Sequence, residues 1–409
     1  MEIRPIVSAL LRNRTGALLV ALQIAITLAV LCNAAFIVQQ RLVKMDRPSG
    51  YDEDNLVTLQ VVNLDRPGKE AGRAAIAADL RALRAMPGVL SATATASLPL
   101  SNSGLGWAYQ RTPEQNDPDA ASASLVLADE HALDTFGLEL AAGRWFKPEE
   151  VISVADFAEF GATSSPVLVV TRALAEQLFP DGNALGGTVY DAASLKPATI
   201  IGIVERAQGY FVNSTGVERT ALSPLLVSSG EALYYVIRTR PGERANVQRD
   251  VEAALLAVEP RRILRDVQSF GQIRADAYQN DRAMTITLLT VIALLVAVTV
   301  LGIFGLMSFN VNRRRKQIGT RRALGARRVD VVRHFLLESW IITTAGAILG
   351  VVLAVGLSVW LVSTFELPKL DWRYLPVGVV ALWILGQLAA YGPARRASGI
   401  DPATATRSV

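Results

Sequence analysis

The sequence is short of the residues that form metal and disulfide sites. Its 409 residues include one cysteine, Cys32, and two histidines, His131 and His334. A single cysteine excludes an intrachain disulfide, and this set is too small for the four-ligand sites that hold structural zinc. The chain also contains no G-x-x-x-x-G-K-[ST] motif, the loop whose backbone cradles nucleotide phosphates. We therefore expect no metal site, no catalytic residues and no cofactor bound by this chain.

Charged residues are absent from four long segments. Residues 15–40, 283–311, 339–365 and 374–391 contain no Asp, Glu, Lys or Arg. Hydrophobic residues make up 51% of the chain, and its mean hydropathy is +0.31. A helix needs about 20 apolar residues to cross the hydrocarbon core, so the four segments predict four transmembrane helices. The first segment also has the basic start of a signal peptide, but its length favours a retained helix.

Basic residues collect next to three of these segments. Residues 1–14, 312–338 and 392–409 carry an excess of Lys and Arg, whereas residues 366–373 are balanced in charge. Because Lys and Arg are retained on the inner side, the first three are predicted to be the cytoplasmic N-terminus, loop and tail, and the fourth a periplasmic loop. Residues 41–282 then form a periplasmic domain of a protein in the bacterial inner membrane. Membrane segments around the basic loop, and its lack of interleaved aromatic residues before Phe335, argue against nucleic-acid binding.

The large domain alternates between strand and helix patterns. Strand, helix and strand follow one another at residues 55–63, 71–86 and 89–97, and again at 232–239, 245–258 and 262–267. The two β-α-β repeats predict one α/β subdomain, at about 52–123 and 224–275, with a β-rich subdomain inserted at about 124–223. The predicted fold class is a membrane protein with an α-helical bundle of four transmembrane helices and a large α/β periplasmic domain.

Small residues recur within two of the predicted transmembrane helices. Gly346 and Gly350 form a G-x-x-x-G motif, and Gly302 and Gly305 lie in another segment. Small residues let helix backbones approach closely, so we expect these four glycines at helix contacts. None of the segments carries an ionisable residue at mid-depth, which argues against a proton- or ion-driven carrier. Energy for any transport would then arrive from outside the chain.

The basic stretch at residues 312–338, NRRRKQIGTRRALGARRVDVVRHFLLE, has more pattern than a topology signal needs. Nine Lys and Arg residues alternate with apolar ones. This predicts short amphipathic helices at the membrane surface, divided at Gly319 and Gly325. We interpret the stretch as the docking point for a cytoplasmic partner.

Several stretches, taken in order, resemble one known family. Residues 316–326, KQIGTRRALGA, look like its signature R-E-I-G-x-R-R-A-L-G-A, and residues 393–405, PARRASGIDPATA, are similar to its ending. Residues 136–146, 167–187 and 200–204 resemble its outer domain. One transmembrane helix, a large outer domain and three more transmembrane helices is the layout of MacB-like and FtsX-like permeases of ABC transporters.

The resemblance implies a mechanism and partners. Two permease halves, as a homodimer or a heterodimer, sit over a dimer of cytoplasmic ABC ATPases that holds ATP and Mg, and the motion of the ATPases is transmitted to the periplasmic side. It implies a separate ATPase chain here, and it leaves a periplasmic adaptor open. The resemblance assigns ATPase coupling to Arg313, Arg314, Arg315, Lys316, Gln317, Ile318, Gly319, Arg321, Arg322, Leu324 and Gly325.

One departure from the signature leaves three alternatives open. The usual acidic residue is Gln317 here, which weakens an ion pair with the ATPase, marks one unequal half of a heterodimer, or is neutral drift. The substrate also stays open between a drug, a peptide and a lipoprotein. The alternative function is an ATP-independent membrane-anchored receptor or scaffold for an extracytoplasmic ligand, and binding of an ATPase by the basic stretch would decide between the two.

Overall fold

The structure is a computed structural model. It describes residues 14–64, 68–114, 117–156, 159, 163, 165–228, 233–365 and 368–399. Most of the predicted cytoplasmic N-terminus, residues 366–367 of the predicted outer loop and residues 400–409 of the predicted tail therefore lie outside the described residues. The chain divides into two compact units, the membrane unit (Met1–Asp46 and Asn280–Val409) and the sheet unit (Arg47–Gln279).

Helices of very different length occur in the two units. In chain order they are α1 (Arg14–Met45), α2 (Lys69–Ala85), α3 (Ala132–Phe136), α4 (Arg172–Leu178), α5 (Arg244–Val258), α6 (Phe270–Ala277), α7 (Gln279–Arg313), α8 (Arg315–Ala323), α9 (Arg328–Phe365) and α10 (Tyr374–Ser398).

The strands all belong to the sheet unit. They are β1 (Leu56–Asn63), β2 (Val89–Thr95), β3 (Leu105–Gln110), β4 (Ala121–Leu127), β5 (Leu140–Gly143), β6 (Ile152–Val154), β7 (Val167–Thr171), β8 (Thr188–Asp191), β9 (Pro197–Val204), β10 (Thr220–Ser223), β11 (Leu225–Val227), β12 (Leu233–Thr239) and β13 (Arg262–Ser269).

The membrane unit has four helices that are long and apolar enough to cross a membrane. Within the described residues they are Thr15–Met45, Gln279–Arg313, Arg328–Thr364 and Tyr374–Ser398. Four transmembrane helices with a large, β-rich periplasmic domain are the predicted fold class, which is confirmed. The long apolar runs determine this part of the fold, because a helix satisfies its backbone hydrogen bonds internally while its side chains face lipid.

Helix α1 packs most closely against α9. A Cβ atom at Gly346 would lie 2.7 Å from the carbonyl oxygen of Ala21, and one at Gly350 would lie 3.0 Å from that of Ala25. Such contacts leave no room for a side chain, so the two glycines let the backbones of α1 and α9 approach. Farther along the same face, the Asn33 side-chain amide donates to the carbonyl oxygen of Ala354 at 3.0 Å.

Polar contacts tie α1 to α7. The hydroxyls of Thr27 and Thr299 are hydrogen-bonded at 2.8 Å, and both residues are buried. Near the start of α7, the buried carboxylate of Asp281 accepts a hydrogen bond from Arg41 and one from Lys44 Nζ at 2.9 Å. In a bundle surrounded by lipid, such polar contacts fix the relative position of two helices that apolar side chains alone would leave free to slide.

The first sheet joins the two predicted β-α-β repeats. Its strand order is β13-β1-β12-β2, and every neighbouring pair is antiparallel. Strand β12 therefore lies between the two strands of the first repeat, and β1 lies between those of the second, which makes two interleaved split β-α-β units. Helices α2 and α5 cover this sheet with apolar side chains that include Ile76, Leu83, Val251 and Leu255.

The inserted part forms a seven-stranded sheet in the order β5-β9-β7-β10-β4-β3-β8. Strand β8 also pairs with β9, which closes a hydrogen-bonded ring and removes most free strand edges. The sheet begins at Leu105, so the predicted subdomain boundary at residue 124 falls inside β4. The Gly- and Ser-rich residues before β3 favour a loop by local propensity, and only pairing with β4 and β8 makes residues 105–110 a strand.

A buried carboxylate follows β4. Asp129 accepts hydrogen bonds from the Thr93 hydroxyl at 2.6 Å and from the backbone N–H of His131 at 3.0 Å. Burial raises the pKa of the Asp129 carboxyl above its ordinary value, and the nearby Glu130 adds to this, although the Thr93 hydrogen bond, His131 and Arg84 act the other way. The ionised form is therefore disfavoured in the folded state.

This raised pKa predicts a pH dependence. A group whose folded pKa is raised contributes stability below its unfolded pKa, and that contribution is lost as the pH rises through the folded value. We expect Asp129→Asn, which keeps an acceptor oxygen but does not ionise, to flatten the fall in melting temperature between the ordinary carboxyl pKa of 3.8 and neutral pH. Thermal unfolding of the detergent-solubilised chain measures this, and parallel curves for the variant and the parent would contradict it.

Candidate site for coupling to a cytoplasmic partner

The basic stretch connects α7 to α9 through a short helix. Helix α7 ends at Arg313, Arg314 is the single residue between the two helices, and α8 then runs from Arg315 to Ala323. Four residues separate α8 from α9, which begins at Arg328 and continues as one helix to Phe365. The prediction of a short surface helix after Gly325 is therefore wrong: residues 328–338 are the first turns of the long membrane helix, because no Gly or Pro interrupts them.

Helix α8 has two distinct faces. Lys316, Gln317 and Arg321 are exposed, whereas Ile318 and Gly319 are buried. Positions 317 and 321 are four residues apart and lie on one side of a helix, while 318 and 319 lie on another. The sequence prediction grouped all of these residues as contacts for a partner, but the structure presents only the first set to solvent.

The buried face of α8 is held by the core of the membrane unit. Ile318 belongs to the same buried cluster as Val331 and Phe335 of α9 and Ala394 and Ala397 of α10. Gly319 lies inside α8 and does not divide it, so that part of the prediction is wrong; one glycine costs a helix only about 1 kcal/mol, which this packing offsets.

Gly325 does end the helix. Its φ of +99° is in the left-handed region, and its backbone N–H donates to the carbonyl oxygen of Arg322 at 3.1 Å. The N–H of Ala326 donates to the carbonyl oxygen of Arg321 at 3.1 Å. This is the geometry in which a left-handed residue terminates a helix, and glycine adopts it without strain.

Two apolar side chains are exposed beside the cations. Leu324 is 83% exposed and Val329 is 71% exposed. Together with Lys316, Gln317 and Arg321 they form what we call the coupling surface. Cations around a few exposed apolar side chains suit a protein partner with an acidic rim and an apolar pocket, since charge steers the encounter and apolar burial holds the complex.

The remaining predicted coupling residues have different positions. Arg313 and Arg315, on either side of Arg314, are exposed, and Arg322 is half-buried. Arg314 points inward: its Nη1 lies 3.1 Å from Oε2 of Glu338, which is 1% exposed. Asn310 donates to the other oxygen of that carboxylate at 3.3 Å.

Glu338 and Asn310 were missed from the sequence. One signal was available for Glu338, since it is one of two acidic residues in the basic stretch and directly precedes a charge-free segment. Asn310 gave no signal, because a single amide at the end of an apolar run fits the polar boundary of any transmembrane helix.

The four predicted packing glycines also separate. Gly346 and Gly350 lie at the contact between α9 and α1, as described above. A Cβ atom at Gly302 would meet the end of the Gln23 side chain at 2.5 Å, and one at Gly305 would have no neighbour within 4 Å among the described residues. A part for any of them in contacts with another subunit stays a prediction.

Two family models match the chain, and together they cover most of it. The model described as MacB-like periplasmic core domain matches residues 17–254, and the model described as FtsX-like permease C-terminal matches residues 289–402. The second range includes the whole coupling surface, and the first includes most of α1 and most of the sheet unit.

The chain is also similar to curated proteins and to a solved structure. The chain is 28% identical over 280 residues to the macrolide export ATP-binding/permease protein MacB of Chromobacterium violaceum, covering 65% of this chain and 40% of that protein. It is 25% identical over 317 residues to MacB of Neisseria meningitidis serogroup A, covering 74% and 45%. The chain therefore spans less than half the length of these relatives. The crystal structure of the periplasmic region of MacB from Actinobacillus actinomycetemcomitans is 14% identical, covers 57% of this chain and 96% of that one, and gives a TM-score of 0.35.

Proposed function

Since the chain belongs to the FtsX-like permeases with a MacB-like periplasmic core domain, a family of ABC-type transporter permeases, we propose that it transmits the motion of a cytoplasmic ABC ATPase to its periplasmic domain. The work done there is export or extraction of a periplasmic or membrane substrate such as a drug, a peptide or a lipoprotein. ATP and Mg are held by the ATPase, and a second permease half completes the assembly in the bacterial inner membrane. A periplasmic adaptor is compatible with this arrangement.

The coupling surface is the observation that carries this proposal. Helix α8 exposes Lys316, Gln317 and Arg321 while Ile318 anchors its other face in the core of the membrane unit. A partner that pushes on the exposed face therefore also pushes on the transmembrane helices, because Ile318 packs against them. Force reaches α9 and then α1, across the close contact at Gly346 and Gly350.

The first experiment is gentle purification of the chain from its native membrane, followed by identification of what accompanies it. We expect a P-loop ATPase. Recovery of a second, related permease would make Gln317 a feature of a heterodimer, because its exposed amide would then face the ATPase in only one half. Recovery of neither protein would favour the ATP-independent receptor or scaffold.

A charge reversal tests the surface itself. We expect Arg321→Glu to weaken ATPase capture by about 2 kcal/mol, or roughly thirtyfold, because it replaces an attraction at the interface with a repulsion. The matched control is Arg396→Glu, which reverses an exposed arginine near the end of α10, outside the coupling surface. Quantitative capture of the ATPase by each membrane-inserted variant measures the effect. Equal loss in both variants would point to bulk electrostatics, and no loss in either would contradict docking at this surface.

A further inference from the structure

The joint between α7 and α8 is a single residue, Arg314. Its backbone N–H donates to the carbonyl oxygen of Asn310 at 3.1 Å, and its own carbonyl oxygen accepts from the N–H of Ile318 at 3.0 Å. The helical ladder therefore continues on both sides of a residue with φ −100° and ψ 15°, outside the helical values. One pair of dihedral angles sets the direction of α8 relative to α7.

A carboxylate from another helix holds this joint. Oε2 of Glu338, on α9, lies 3.1 Å from Arg314 Nη1, and Oε1 lies 3.3 Å from Asn310 Nδ2. Both oxygens are thus used, by two residues one helical turn apart on the end of α7 and the joint. The Glu338 side chain is 1% exposed and that of Arg314 is 22% exposed, so solvent screens the pair little.

The next residue of α9 is fixed in turn. Ser339 is buried, and its hydroxyl donates to the carbonyl oxygen of Gly386 on α10 at 3.4 Å. The Thr343 hydroxyl donates to the carbonyl oxygen of Ser339 at 2.9 Å. The side chains of Glu338 and Ser339 therefore connect α9 to the end of α7, to Arg314 and to α10.

A buried ion pair is a costly way to obtain stability alone. Removing two charges from water offsets most of their attraction, and apolar residues of similar volume often stabilise a core as well or better. The pair instead restricts the relative orientation of the two residues, because a guanidinium and a carboxylate prefer a narrow range of orientations. This pair lies where a change of orientation would turn α8, and with it the coupling surface.

We propose that Glu338 is a positioning residue that locks the angle between α7 and α8, so that force applied to the coupling surface moves α9 instead of bending the joint. This rests on the proposed function. Without the contact between Glu338 and Arg314, a bound ATPase would tilt α8 about Arg314, and its motion would not reach the transmembrane helices. Binding of the ATPase and transmission of its motion therefore separate: Arg321 serves the first and Glu338 the second.

The test uses the full chain with its single cysteine replaced, Cys32→Ser, and spin labels at Lys316 and Ala345, exposed positions on α8 and α9. We expect a narrow distance distribution between the labels in the parent. Glu338→Gln, which removes the charge and keeps the volume, should broaden it. Asp330→Asn is the control, since this carboxylate is exposed and caps the backbone N–H of Arg327 at 3.0 Å at the start of the same helix.

The same substitutions, made in the chain without cysteine replacements or spin labels, are assayed for ATPase capture and for stimulation of ATP turnover by the permease. We expect Glu338→Gln to capture the ATPase normally and to lose stimulation by roughly tenfold, a size found for mutations that alter coupling between sites. If Glu338→Gln gave a narrow distance distribution and normal stimulation of ATP turnover, the proposal would be overturned. Glu338 would then serve only to neutralise the charge of Arg314. If the parent captures no ATPase, the proposed function is wrong. The distance distributions would still show whether Glu338 fixes the angle between α7 and α8. Arg314→Gln serves as a second variant with the same expected result if Glu338→Gln does not accumulate.

Discussion

Replacing Asp79 by alanine is expected to destabilise the four-stranded sheet of the sheet unit strongly. Asp79 accepts hydrogen bonds from Arg262 Nη1 at 2.6 Å and Nη2 at 2.9 Å, and from the Tyr235 hydroxyl at 2.7 Å. The Arg262 and Asp79 side chains are 2% and 5% exposed. The variant would leave a buried guanidinium without its counter-charge, which costs about 3–5 kcal/mol, and many domains have only 5–15 kcal/mol in total.

The arginine has other partners that do not compensate for this loss. Its Nη2 also donates to the carbonyl oxygen of Leu255 at 2.8 Å, and its Nε to that of Glu259 at 2.8 Å. These bonds satisfy the geometry of the guanidinium but carry no negative charge. They fix Arg262 at the end of α5, so the side chain cannot easily swing out to water when Asp79 is removed.

Protease sensitivity and thermal unfolding of the solubilised chain measure this effect. The matched control is Asp250→Ala, which removes an aspartate paired with Arg249 on the exposed side of α5; little change is expected, since exposed pairs contribute little. The double variant Asp79→Leu with Arg262→Met should recover much of the stability, because it removes both charges and puts apolar side chains in their place. Equal loss in the single and double variants would show that packing, and not the unpaired charge, controls the result.

The second large effect is expected at Gly346. In Gly346→Leu, the new Cβ atom would lie 2.7 Å from the carbonyl oxygen of Ala21 and 2.9 Å from Ile24 Cβ. The first of these is backbone, which cannot move aside as the end of a long side chain can. Helices α1 and α9 would have to separate, and the loss should exceed the 1–3 kcal/mol typical of an overpacked core. The variant would also disrupt the contact through which, in the proposed function, α9 moves α1.

Gly305→Leu is the control for this variant. It adds the same side chain to another glycine of a transmembrane helix, where a Cβ atom would have no neighbour within 4 Å among the described residues. The yield of monodisperse protein and its melting temperature in detergent measure both variants. We expect a large loss for Gly346→Leu and a small one for Gly305→Leu. If the effects were reversed, Gly305 would face another subunit, and the contact between α1 and α9 would tolerate a leucine side chain at position 346.

Much of the structure of the basic stretch at residues 312–338 was predictable, and the errors have local causes. The charge pattern located it correctly between two transmembrane helices, and Gly325 does end a helix. Gly319 failed as a break because packing of the adjacent Ile318 outweighs a glycine's weak preference against helix. Arg314 could not be distinguished from its neighbours Arg313 and Arg315, since three adjacent arginines are equivalent until the direction of the helix is known.

The membrane part and the class of the domain between its helices follow from the sequence alone. Charge-free runs and the placement of Lys and Arg act residue by residue on transfer into lipid, so they need no knowledge of distant contacts. Hydrophobic periodicity likewise located the strands and helices of both β-α-β repeats.

Which elements and side chains contact each other depends on the three-dimensional fold. The interleaving of β12 between β1 and β2, the ring closed by β8 and β9, and the ion pair between Asp79 and Arg262 join residues far apart in the chain. The same holds for Arg314 and Glu338. In each case the partner is chosen by packing, which places two buried groups together and makes any other pairing leave a charge or a backbone group unsatisfied.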